Sequence, residues 1–263
     1  MTAVTTRHGG GGFPGAVAAE WTKTWTVRST WWSLFGAAAL MGLGALQFSI
    51  FATNANTNDD PADDRGMVAV GSVAVQAVDV VQFAIIGLAM LLITAEYSGG
   101  AIRTTLQQVP RRGVMLLSKT VVAAVVGGAA GLLLAALGSA VAAPLLGRWA
   151  DLDAAGWIGD VLAAGCYLAL ISVVALGAGT VLRSAAGTLI VIFLVVVLLP
   201  ALLQASDIAA VERIAHYLPG TAGAAFMRGE SEEYPPLAGL VVVAAWAAAA
   251  VAAGYATLRR RDA

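Results

Sequence analysis

The chain has 263 residues, 59% of them hydrophobic and 12% charged, with a mean hydropathy of +0.81. Soluble domains carry roughly 25% charged residues, so this composition excludes an ordinary soluble protein and predicts an integral membrane protein. A net charge of −1 gives no reason to expect a nucleic-acid partner, and the lone Cys166 permits neither an intrachain disulfide nor a cysteine metal cluster.

Residues 1–15, with the run Gly9-Gly10-Gly11-Gly12, read as a flexible tail ahead of a single transmembrane domain, 16–263. No apolar core followed by a small-residue cleavage site is visible, so a cleavable signal peptide is not expected and the first span serves as insertion signal. From Val17 to Trp32, the residues Val17, Trp21, Trp25, Arg28 and Trp32 recur near one helical face. Either an interfacial amphipathic helix results, its indoles at headgroup level with Arg28 snorkelling, or an aromatic belt anchors the first span.

A spanning helix needs about 20 mainly apolar residues, because hydrocarbon offers the backbone no partners. Six runs meet this: Trp32 to Phe51, Val73 to Ala95, Val114 to Val141, Trp157 to Leu182, Gly187 to Leu203 and Pro236 to Leu258. None alternates in polarity as a transmembrane barrel strand would, so the fold class is all-α. The loop Ala52 to Gly66 reads as solvated. Its acids, Asp59-Asp60-Pro61-Ala62-Asp63-Asp64, lack the alternating ligands, central glycine and closing Glu of a calcium loop, and no metal is expected. In the second span Ser72, Gln76 and Asp79 form one polar strip. Gln76 and Asp79 are therefore candidates for a substrate pathway, against the plainer reading of a carboxylate in a wet outer vestibule.

Between the second and third spans lies Glu96-Tyr97-Ser98-Gly99-Gly100-Ala101-Ile102-Arg103-Thr104-Thr105. Gly99 and Gly100 are expected to break the helix. Ile102, Leu106 and Val109 then outline a short amphipathic helix ended by Pro110, its apolar stripe able to fill a partner's groove while Arg103, Thr104, Thr105 and Gln107 make polar contacts. In the third span Gly127 and Gly131 permit close helix approach. After the fifth span, Ser206 to Tyr234 reads as a helical excursion, capped by Ser206, with Ile208, Val211, Ala215 and Leu218 as a stripe ended by Pro219-Gly220, and a second piece from Thr221 to Met227.

Six spans place both termini on one side. That side holds Arg7, Lys23, Arg28, Arg103, Arg111, Arg112, Lys119, Arg183, Arg259, Arg260 and Arg261, 11 of the 15 basic residues, and is expected to be cytoplasmic. The other side carries Asp59 through Asp64, Asp151, Asp153, Asp160, Asp207, Glu212, Glu230, Glu232 and Glu233.

Catalytic patterns are missing. The two histidines, His8 and His216, lie outside the spans, no nucleophile elbow occurs, and no phosphate-binding Gly-rich loop with its Lys is present. The chain is expected not to be an enzyme by itself, so any uphill transport draws on an ion gradient or a separate ATPase.

Three groups of residues resemble the permeases of type-2 ABC exporters, particularly the compact actinobacterial kind. They are Ala19-Glu20-Trp21-Thr22-Lys23 with Arg28-Ser29-Thr30-Trp31-Trp32; Glu96-Tyr97-Ser98-Gly99-Gly100 with Ile102-Arg103-Thr104-Thr105 and Pro110-Arg111-Arg112; and Leu218-Pro219-Gly220. The resemblance implies a subunit that pairs with a second permease, identical or not, in the lipid of the cytoplasmic membrane. It also implies a coupling segment, Glu96 to Thr105, docked into an ATP-binding subunit. ATP and Mg would sit on that partner, with no cofactor on this chain. Glu96 and Arg103 would supply contacts or ion pairing, and Gly99 and Gly100 the bend. The competing reading is a gradient-driven transporter or a membrane scaffold, although no internal repeat is evident and only Asp79 stands as an intramembrane charge.

Overall fold

The computed structural model describes residues 12–58, 60–108, 111–206, 208–229 and 233–260. Among these, six helices are long and apolar enough to cross a membrane: Arg28–Ala55, Val70–Ser98, Arg112–Trp149, Ala154–Leu182, Ala185–Gln204 and Pro236–Arg260. The apolar runs of the sequence all become helices, each continuing past its apolar stretch at one or both ends.

Helix α1 (Gly12–Thr26) and α2 (Arg28–Ala55) are separate, with Val27 extended between them (φ −90°, ψ 127°). A helix unbroken from Val17 to Trp32, one of the two readings of that stretch, therefore does not form. The cause is local: the Thr30 hydroxyl donates to the Thr24 carbonyl (2.6 Å) and the Trp31 indole to the Trp25 carbonyl (3.2 Å). Side chains of α2 thus satisfy carbonyls left open where α1 ends. Trp21, Trp25 and Trp31 pack with ring centroids 5.6 and 5.4 Å apart, and Trp32 belongs to α2.

Helix α3 (Val70–Ser98) and α6 (Ala154–Leu182) are central and mostly buried, whereas α2 is mostly exposed. The seven-residue α4 (Ile102–Gln108) precedes the long α5 (Arg112–Leu146). The expected close approach is present, since a Cβ on Gly131 would stand 2.8 Å from Gly165 Cα and 2.9 Å from the Ala164 carbonyl. A two-residue parallel pair, Val68–Ala69 with Ala150–Asp151, joins the loops before α3 and α6. In the loop after α2, Asn56 folds the chain back by accepting from the Gly66 amide (3.0 Å) and donating to the Gly66 carbonyl (2.8 Å). Asp59 of the acidic tip lies outside the described residues.

The fifth span is α7 (Ala185–Phe193), a π-helical turn at Leu194–Leu198, and α8 (Leu199–Gln204). Pro200 has no N–H to give the Val196 carbonyl four residues earlier and crowds it, so the ladder widens there. Beyond it, α9 (Ala209–His216) and α10 (Pro219–Arg228) form the excursion, followed by α11 (Pro236–Arg260). The Ser206 hydroxyl accepts from the Ile208 amide (3.3 Å). Pro219-Gly220 opens α10 rather than closing the stripe, because proline suits the first helical turn, whose N–H groups lack partners anyway. Gly220 rests on the Val196 carbonyl so closely that no Cβ would fit. Asp207, Glu230 and Glu232 lie outside the described residues.

Candidate functional site

The buried face of α1 is Ala16, Glu20 and Thr24, one residue per turn, beside rather than along the line of tryptophans. That face sets a carboxylate against the bundle. Lys119, two turns into α5, is fully buried. Its ammonium donates to Glu20 Oε2 (2.7 Å), Glu96 Oε1 (2.6 Å) and the Leu92 carbonyl (3.1 Å). An ammonium has three N–H groups, and all three are placed. Lys23, on the next turn of α1 and partly exposed, also pairs with Glu96. Two cations and two carboxylates therefore close into a neutral cluster joining α1, α3 and α5. Removing Lys119 would leave the buried Glu20 carboxylate without its cation, which costs about 3 to 5 kcal/mol, whereas without Glu20 the Lys119 and Glu96 pair persists.

Beside the cluster is a small, largely apolar cavity of about 150 Å³, whose walls include Lys23, Thr30, Leu88, Leu92 and Glu96. Glu96 Oε2 is buried and takes no hydrogen bond from the described residues.

The same end of the bundle is tied by two further cations. Arg112 donates to the Leu258 carbonyl, and at 3.5 Å to that of Arg259, satisfying carbonyls at the end of α11. Arg183 closes α6 in the left-handed region (φ 55°), its guanidinium 4.9 Å from the Tyr97 ring centre. The residues that mark sidedness in the sequence are thus also structural links.

The expected coupling segment divides into two parts. Glu96 is internal to the cluster and Tyr97 is half-buried under Arg183. Ser98, Gly99 and Gly100 are exposed. Gly99 ends α3 with ordinary helical angles (φ −87°), whereas Gly100 takes φ +68°, so the turn depends on Gly100. Ile102 is 4% exposed and belongs to the cluster that holds Met115 and Leu116. Ile102 thus anchors α4 to its own bundle, where it packs beside Met115 and Leu116 of α5. Thr104 and Gln107 face outward and Thr105 is half-buried, with both threonine hydroxyls bonded to the Ala101 carbonyl (2.7 and 3.2 Å). The side chains of Arg103 and Leu106, together with Val109 and Pro110, lie outside the described residues.

At the opposite end, Asp79 pairs with Arg228 of α10 (2.8 Å), half-exposed. Gln82 donates to the Asp79 carbonyl (2.9 Å) and accepts from the buried Tyr167 hydroxyl (2.6 Å). Gln76 is half-buried and takes no part in this chain of bonds.

Lys119, Gln82, Tyr167 and Arg228 were not singled out from the sequence as site residues. One signal was present for Lys119: a charge well inside an otherwise apolar helix demands a partner. Among the described residues no group of three or more His, Cys, Asp or Glu could hold a metal ion. No family model and no curated protein matches this chain.

Proposed function

We propose that this chain is the membrane-spanning permease subunit of an ATP-driven exporter, with both termini and α4 in the cytoplasm. In this reading it pairs with a second permease and takes its energy from a separate ATP-binding subunit. The observation that carries the reading is α4. It is a short exposed helix at the basic end of six membrane-length helices, pinned inward by Ile102 with Thr104 and Gln107 outward. Immediately before it, the chain is fixed to α1 and α5 through Glu96. A helix held at one face and open at the other suits a partner that pushes on it. The resemblance of Glu96 to Thr105 to a coupling segment supports the same conclusion.

Affinity purification of the full chain from native membranes provides the test. It should recover an Mg-ATP-hydrolysing subunit, and a Thr104→Asp/Gln107→Asp variant should insert normally but lose that subunit. Recovery of the chain alone, with transport indifferent to any ATPase, would sink the proposal in favour of a gradient-driven transporter or scaffold.

A further inference from the structure

We infer that Lys119 is a positioning residue for coupling, its ammonium holding α1, the end of α3 and the start of α5 as one rigid unit behind α4. The inference rests on the permease reading above. Glu96 stands one turn before the Gly99-Gly100 turn, so displacement of α4 acts first on the end of α3. Besides the Arg183 contact at Tyr97, the end of α3 is held by Lys119, which reaches α3 twice, through Glu96 and the Leu92 carbonyl, and α1 through Glu20.

The remaining contacts of this region include Val17 and Trp25 against Leu88, Val122 and Val126. Apolar contacts are non-directional and let helices slide. Charge-assisted hydrogen bonds on a saturated ammonium fix both separation and rotation. Lys23 adds a second tie from α1 to Glu96, so α1 is held through two of its residues, Glu20 and Lys23. Glu20, Glu96 and Lys119 are the cluster's buried members, and a buried ionic set replaced by well-packed hydrophobic residues of similar volume is often no less stable. Stability and coupling are therefore separable by mutation.

The test uses the full chain in lipid nanodiscs, with Cys166→Ser as background and spin labels at Thr22→Cys and Thr104→Cys. The permease alone should give one narrow distance distribution. It should broaden in the triple variant Glu20→Met/Glu96→Met/Lys119→Met, in which Lys23 stays solvated. An equally narrow distribution overturns the inference. Without labels, the triple variant should insert and keep a wild-type unfolding temperature. Its partner-stimulated ATP hydrolysis should fall about tenfold, within the usual range of coupling between sites. Unchanged hydrolysis also overturns it. If the triple variant does not insert, Glu20→Gln alone, which leaves the Lys119 and Glu96 pair intact, carries both readouts with the same expectations. Absence of stimulated hydrolysis in the wild type would defeat the exporter reading, while the distances would still decide whether Lys119 holds the unit together.

Discussion

The Tyr167 hydroxyl donates a 2.6 Å hydrogen bond to Oε1 of Gln82, joining α6 to α3 where both residues are buried. Tyr167→Phe leaves that oxygen without its donor. The expected loss is about 1 kcal/mol, the scale of hydrogen bonds between membrane helices and of an unsatisfied buried acceptor. Tyr167→Phe/Gln82→Leu should recover most of it, since removing both partners removes the unmet group. Thermal unfolding in one detergent across the series checks this, and a double variant worse than the single would refute it.

The Asp79 and Arg228 pair should behave differently. With the Asp79 side chain 52% exposed, the pair is screened by water, and Asp79→Asn should cost under about 1 kcal/mol. What small effect exists should shrink further in high salt. Unfolding temperatures at two ionic strengths measure it; a large, salt-independent loss would show that the carboxylate does more than pair with Arg228.

At the turn before α4, Gly100→Ala and Gly99→Ala separate two neighbouring glycines. Only Gly100 occupies the left-handed region (φ +68°), so its substitution should cost about 1 kcal/mol and reorient α4. Limited proteolysis at residues 101–108 and binding of the ATP-hydrolysing partner report the change. Equal effects at both positions would place the bend elsewhere.

Gly220→Ala drives a methyl group onto the Val196 carbonyl, and the expected cost of such overpacking is about 1 to 3 kcal/mol. Unfolding temperature is again the measurement, with Gly229→Ala, whose Cβ would meet open space, as a control for backbone strain alone.

The six spans were legible because hydrocarbon imposes a length and a composition on any helix that crosses it, whatever the fold. The end of α1 was not, since it depends on Thr30 and Trp31 reaching back to carbonyls of the preceding turn. Periodicity placed Ile102 on an apolar stripe but could not say what Ile102 meets, and it packs in its own bundle. The charged cluster was hidden by distance in the chain. Lys119 lies 99 residues from Glu20 and 23 from Glu96, and Asp79 lies 149 from Arg228, so no local pattern pairs them. What could be read was the demand of each buried charge for a partner, without the partner's name.

The order of residues in the Lys119 cluster also sets an order of assembly. Synthesis delivers Glu20, Lys23 and Glu96 first, with only Lys23 to balance two carboxylates, and Lys119 arrives in the third membrane-length helix. Until that helix has entered, the amino-terminal helix lacks its tie to Lys119 and is held only through α2 and the Lys23 and Glu96 pair. A nascent chain halted before residue 112 should therefore leave α1 open to protease, and one halted after the whole of α5 has emerged should protect it.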